Sequence, residues 1–225
     1  MSSLFGCGQA VWLRLTGAPK GYGRVGPPNG CDPARRERVQ AFREAIASFD
    51  ERADKYFEAH LRGRPVADRV MYAASAAGDH GLIWAVLAGV EGALSPEGPS
   101  LRPLARASAA LVTESIVVNG LVKLGFRRQR PERSDPPPLP LRVPITSSFP
   151  SGHASSAFFA AALLRRGSTL WLYYPLAVVV ASSRVHVRIH YASDVVGGAL
   201  LGAALGELAR RAFPVWGSGQ RGMEQ

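Results

Sequence analysis

The sequence predicts an all-α fold: an antiparallel helical bundle of five to six core helices that passes repeatedly through a membrane. Three observations carry this expectation. Apolar runs rich in Ala, Leu and Val occupy residues 81–90, 107–122 (interrupted by Glu114), 154–164, 167–183 and 195–206, each long enough for a helix. No stretch shows strand-type alternation or a hairpin dipeptide. Arginines flank alternate ends of the runs, as the positive-inside rule asks of a multi-pass chain.

Composition bounds the function classes. The chain has 225 residues, 47% of them hydrophobic and 20% charged, which excludes a largely disordered polypeptide, and two cysteines exclude a disulfide scaffold. The formal net charge is +10, and 24 of the 27 basic residues are Arg, leaving only Lys20, Lys55 and Lys123. Such a balance fits nucleic acid, a membrane surface or an anionic small substrate.

Taken in order, residues 1–33 are rich in Gly and Pro and read as a flexible arm, with Cys7 and Cys31 as free thiols or a local disulfide. Ala10 to Leu15 is too short, and too interrupted by Arg14, for a signal-peptide core. Residues 34–64 place Val39, Phe42, Ile46, Phe49, Phe57 and Leu61 at helical spacing between charges, an amphipathic helix with a break expected near Asp50. Residues 65–214 form the bundle and 215–225 a flexible tail. Pro103 and Pro214 stand just outside run ends, whereas Pro175 lies inside 167–183 as a candidate kink. That uncharged run comes nearest to spanning length, since a bilayer wants about 20 apolar residues. A mean hydropathy of +0.01 is low for a polytopic protein, so charge placement decides. Arg102, Arg106, Arg165, Arg166, Arg210 and Arg211 share one side of an up-and-down bundle, which the rule makes cytoplasmic. Whether residues 66–77 or the amphipathic helix adds a sixth span stays open.

The opposite helix ends hold the chemistry. Run 107–122 leads into Lys123 and Arg130-Pro131, run 154–164 follows Pro150-Ser151-Gly152-His153, run 167–183 ends at Ser183-Arg184, and run 195–206 follows His190 and Asp194. The sequence of end, start, end, start brings all four clusters to one mouth. Lys123, Arg130 and Arg184 can clamp a phosphate, the arginines as bidentate forks. Ser151, Gly152 and His153 open a helix, whose free N–H groups favour an anion. His153 and His190 supply an acid and a nucleophile, with Asp194 four residues on to fix a tautomer. Asp79 and His80 precede run 81–90 at the same mouth, either lining the entrance or serving as a cap and a rim histidine. Arg127, Arg128, Arg133 and Arg142 lie nearby to draw anions in.

These residues resemble the type 2 phosphatidic acid phosphatase and haloperoxidase superfamily, whose signature reads K-x6-R-P, P-S-G-H and S-R-x5-H-x3-D. All three parts stand here in order with no position substituted, within residues 79–212. The resemblance implies that His190 attacks phosphorus and forms a phosphohistidine oriented by Asp194. It implies that His153 protonates the leaving alkoxide, and that Lys123, Arg130, Ser151, Gly152 and Arg184 hold the non-bridging oxygens. No metal and no cofactor are expected, and vanadate should mimic phosphate. The implied substrate is a lipid phosphomonoester or diphosphate: phosphatidic acid, phosphatidylglycerol phosphate or a polyprenyl diphosphate. Run placement puts the site on the non-cytoplasmic side of the cell membrane. The short interval from His153 to Ser183 suggests two compact helices joined by a tight turn at residues 165–168.

Two other classes stay in view. His186, His190 and Asp194 are spaced by four and would form a metal-ligand stripe if one helix carried them, the basis for a metallohydrolase. A non-catalytic basic protein binding membrane or nucleic acid is the other. A nucleic-acid partner is not expected, because the charge gathers at helix ends and no aromatic-interleaved basic stripe occurs.

Overall fold

The computed structural model describes residues 32–95, 98–132, 137, 139, 141, 143–165 and 170–215. Among the described residues the regular elements are helices, without strands. In chain order the helices are α1 (Pro33–His60), α2 (Pro65–Ala77), α3 (Leu82–Ala93), α4 (Arg102–Ser115), α5 (Gly152–Leu164), α6 (Leu170–His186) and α7 (Ala192–Ala212). After α4 the chain continues in helical turns to Gly125, and the described residues of 126–151 that follow are not helical.

Local sequence sets the helix ends. Asp32 caps α1 by accepting from Ala34 N at 3.1 Å, with Pro33 in the first turn, where its missing N–H costs nothing. Ser151 caps α5, and at the start of α7 the Asp194 carboxylate accepts from Tyr191 N at 2.9 Å. Gly81 takes φ 69° at the head of α3, a left-handed turn that a side chain would strain.

The bundle is organised around α5. Ala154, Ala157, Phe159 and every residue from Ala160 to Leu164 are buried, so this helix is apolar all round, as a central helix must be. Trp84, Ala88, Ala107, Leu111, Tyr173, Ala177 and Val180 close on it from α3, α4 and α6. Its closest partner is α7, which turns Gly198, Gly202 and Gly206 toward it. A Cβ at these positions would collide with the carbonyl oxygens of Ser151, Ser155 and Phe159 respectively. Small residues four apart thus let two backbones approach at van der Waals distance.

One sequence expectation changes here. The amphipathic helix is unbroken: α1 runs through Asp50, since 34–60 contains no Pro or Gly and the buried Asp50 carboxylate is held by other elements. Residues 167–169 lie outside the described residues, and α6 is described from Leu170 with 17 residues; among the described residues, two other segments reach spanning length. Arg102–Gly125, which is α4 continued through a wide π-type turn (Ile116–Leu121) and a tighter turn (Val122–Gly125), has 24 residues and contains an 18-residue window of mean hydropathy 1.4. Helix α7 has 21 residues and contains such a window at 1.3. The first two gain length because their helices continue past the apolar run into flanking polar residues. α2 and α3 reach comparable length and hydropathy only as a pair, joined at a 76° bend. Pro175 lies within α6 without ending it. The cysteines and the turn expected at 165–168 fall outside the described residues, except for Arg165.

Arginines expected on one side do gather at one end. Glu207 of α7 accepts from Arg165 at 2.8 Å, Arg210 at 3.0 Å and Arg211 at 2.7 Å, and Arg106 donates to Pro214 O at 2.7 Å. That end is opposite the clusters described next, so antiparallel alternation holds.

Candidate active site

The wide turn at Ile116–Leu121 lets α4 continue toward the loop, and the tighter turn after it presents Lys123, which is 7% exposed. Such local departures from α geometry recur at functional sites. Lys123, Gly152, His153 and His190 all line one cavity of about 470 Å³, together with Asp79, Glu114, Asn119 and Thr146. Lys123 Nζ donates to Thr146 Oγ1 at 3.4 Å. Gly152 sits so close to α4 that a Cβ would fall 2.6 Å from Asn119 Oδ1.

His190 lies in the turn between α6 and α7, almost fully buried. Its Nε2 receives a hydrogen bond from Arg130 Nη1 at 3.2 Å, which identifies Nε2 as the unprotonated nitrogen. Arg130 is itself pinned to Ile189 O at 3.0 Å and Thr146 O at 3.0 Å. On the other side of the ring, Nδ1 stands 3.5 Å from Ser148 Oγ and 3.7 Å from Asp194 Oδ2. Ser148 Oγ donates to Asp194 Oδ2 at 2.5 Å, so its lone pairs face the Nδ1 proton. Burial pushes the His190 ring pKa down to about 3; the Asp194 carboxylate opposes this and the Arg130 charge adds to it. The imidazole is therefore neutral at physiological pH. Burial also lowers Arg130, whose guanidinium remains charged.

Arg184 is 1% exposed near the end of α6. One of its nitrogens, Nη1, donates to Ser75 Oγ, whereas Nε and Nη2 are buried with no hydrogen-bond partner among the described residues. Arg130 Nε is in the same condition. Buried unpaired guanidinium donors are costly, and an oxyanion would satisfy them. Ser151 is fully buried; its Oγ accepts from Ala154 N at 3.4 Å and its N–H donates to Asp194 O at 3.0 Å, which ties the start of α5 to the start of α7.

Asp79 is more than a rim residue. Its Oδ1 is 2.8 Å from His153 Nε2, so the second histidine also has a carboxylate partner. Reading the sequence as helix ends located Asp79 but not its partner, because the pairing depends on the turn at Asp79–Gly81. Ser148, Thr146 and Asn119 were missed; the polar stretch at 146–148 ahead of the P-S-G-H segment is the local signal for the first two, and Asn119 has none. Arg128 departs from the expected role of a free anion attractor. It is held between Asp194 Oδ1 at 2.7 Å and Asp50 Oδ2 at 2.6 Å, and its charge is spent internally. Arg133 and Arg142 lie outside the described residues, as does the side chain of His80.

The metal stripe does not form on one helix. α6 ends at His186 and α7 begins at Ala192, so His190 occupies a turn with its own orientation. His186 instead meets Asp68 of α2 at 2.8 Å and the rings of Phe57 and Tyr72. Among the described residues no three His, Cys, Asp or Glu side chains are grouped to hold a metal ion.

Comparison with known proteins places this arrangement. The PAP2 superfamily profile matches residues 103–217. Decaprenylphosphoryl-5-phosphoribose phosphatases are similar in sequence. The protein of Mycobacterium tuberculosis (strain H37Rv) is 38% identical over 133 residues, which cover 58% of this chain and 72% of that one. The protein of Mycolicibacterium smegmatis is 33% identical over 141 residues, 63% of this chain and 76% of that one. The crystal structure of a transmembrane PAP2-type phosphatidylglycerolphosphate phosphatase from Bacillus subtilis superposes with a TM-score of 0.56 at 25% identity, covering 75% of this chain and 86% of that one. With the three-part signature assembled at one end of a helical bundle that has membrane-spanning helices, the chain belongs to the PAP2 superfamily and is a phosphatase.

Proposed function

We propose that the protein hydrolyses a phosphomonoester on a lipid headgroup through a phosphohistidine on His190, with a polyprenyl-linked sugar phosphate as the first candidate substrate. Among the diphosphate and phospholipid alternatives, this choice follows the mycobacterial relatives, which act on decaprenylphosphoryl-5-phosphoribose. One observation carries the chemistry: a buried neutral histidine whose unprotonated Nε2 meets a half-buried arginine, with guanidinium donors of Arg130 and Arg184 that lack partners among the described residues.

The geometry supports the following steps. The phosphate enters the cavity and accepts hydrogen bonds from Arg130, Arg184 and Lys123 and from the N–H groups that open α5, where charge accumulates in the transition state. Ser151 caps that helix and so holds those N–H groups in place. The Nε2 lone pair of His190 attacks phosphorus as the ester P–O bond breaks. The ring becomes cationic, and its Nδ1 proton is held through Ser148 toward Asp194. His153 gives its proton to the leaving alkoxide, Asp79 having served as counter-charge to the protonated ring, and then takes a proton from the water that attacks the phosphohistidine. Phosphate departs and His190 is restored. The placement of Arg106, Arg165, Arg210 and Arg211 at the far end supports an active site on the non-cytoplasmic face.

The test is phosphate release by detergent-purified protein across a panel of polyprenyl sugar phosphates, phosphatidylglycerol phosphate, phosphatidic acid and polyprenyl diphosphates, with His190→Asn as control. Release from at least one lipid, absent in the variant, is expected. No release from any lipid, or equal release by the variant, overturns the proposal.

A further inference from the structure

Helix α1 precedes the residues that match the family, yet it sends a carboxylate into the site. Asp50 is 6% exposed. Its Oδ1 accepts from Ser193 N at 2.7 Å, and its Oδ2 accepts from Ser193 Oγ at 2.8 Å and Arg128 Nη2 at 2.6 Å. Arg128 continues the chain: Nη1 donates to Asp194 Oδ1 at 2.7 Å and to Ser193 Oγ at 2.7 Å, while the guanidinium lies 4.3 Å over the Tyr191 ring. Asp194 is the carboxylate behind His190.

The same helix grips the turn that carries His190 at two more points. Arg62, just beyond its end, donates to Val185 O and His186 O, both at 2.8 Å. Arg188, held at φ 52°, donates to Glu58 Oε2 at 2.6 Å. A non-glycine residue in that conformation persists only where its surroundings hold it.

We infer that Asp50 is a positioning residue for catalysis and that α1 is a built-in strap fixing the His190–Asp194 pair from outside the family core. The argument is electrostatic as well as geometric. Alone, Arg128 would form a neutral pair with Asp194 and draw the carboxylate away from the imidazole. Asp50 takes the other face of the guanidinium, so the Asp50–Arg128–Asp194 group keeps a net negative charge behind a ring that turns cationic on attack. Asp50 also satisfies the N–H of Ser193, one of the unpaired donors in the first turn of α7, which fixes the direction in which that helix presents Asp194.

This inference rests on the roles proposed above for His190 and Asp194, and the experiment separates the two. Wild type, Asp50→Asn, Asp50→Glu and Glu44→Gln, an exposed α1 control, are purified as the full chain and assayed on the lipid phosphate that wild type hydrolyses. Rates are normalised to folded protein from a thermal-unfolding trace. Asp50→Asn is expected to lower kcat by about 10- to 100-fold, typical of losing an outer partner that orients a working side chain. KM should stay within about twofold, because Asp50 does not touch substrate. Asp50→Glu recovers part of the loss, and Glu44→Gln matches wild type. If Asp50→Asn yields no folded protein, Ser193→Ala, which keeps all three charges, is expected to lower kcat at unchanged KM. An unchanged kcat in the folded variant, or a rise in KM alone, overturns the inference. An inactive wild type would instead overturn the proposed function.

Discussion

At the scale of single residues, the site is governed by where protons can be. His190 is buried in its neutral form, with a pKa near 3 against about 6.5 in an unfolded chain. Between those values the unfolded state binds the extra proton. Its burial therefore costs stability progressively as pH falls below about 6.5, by up to ~1.4 kcal/mol per pH unit, and costs nothing from this source above it. Thermal unfolding in detergent at pH 7.5 and pH 5.5 should show a larger acid-induced fall in Tm for wild type than for His190→Asn; equal falls would contradict the neutral burial. Asp79 makes a second prediction. Asp79→Asn keeps the shape of the His153 contact and removes its charge, and kcat should drop by about 10²-fold, within the range set by general acid–base catalysis. The measurement is steady-state phosphate release, and substrates with better leaving groups should be affected less, since they need less proton assistance. These two histidines and their signature partners were legible from residue type and spacing. Ser148 and Asn119 were not, because a lone Ser or Asn in a loop or helix carries no pattern until the fold puts it against another polar group.

At the scale of elements, the site depends on the register between α5 and α7. The glycines at 198, 202 and 206 let the two helices touch backbone to backbone, and Ser151 N to Asp194 O at 3.0 Å joins their first turns. Gly202→Val would force the helices apart and should destabilise the protein by at least about 1–3 kcal/mol, the usual cost of overpacking. A lowered Tm together with lost activity is the expected reading; a variant with wild-type Tm would show that α5 and α7 do not pack as described. Alternating ends of apolar runs were enough to predict which helix termini meet. The limits of each helix were harder to read: α4 and α7 extend into polar residues because the fold pays for those residues with partners such as Glu207, which hydropathy alone does not register. The continuity of α1 through Asp50 was hidden for the same reason, since the residues that satisfy that carboxylate lie 78 and 143 positions away.

At the scale of the whole molecule, the net charge of +10 separates into populations with different work. One set of arginines surrounds Glu207 and Pro214 at one end, a second set with Lys123 surrounds the cavity at the other, and Arg128 is neutralised between two aspartates. A chemistry built on the second set predicts that orthovanadate inhibits phosphate release competitively, and that EDTA leaves the rate unchanged; the reverse pattern would favour a metal-dependent hydrolase. Which residues converge was written in the three-part signature, whereas the strap formed by α1 became visible only in three dimensions. The central claim is that His190 carries the phosphoryl group. It is tested most directly by mixing the purified enzyme with a lipid substrate labelled in its phosphate, quenching within the first turnovers in alkali, and locating the label by peptide mass spectrometry. The account predicts an acid-labile, alkali-stable phosphate on His190, absent from His190→Asn. Sustained turnover with no labelled histidine, or with the label on another residue, would contradict it.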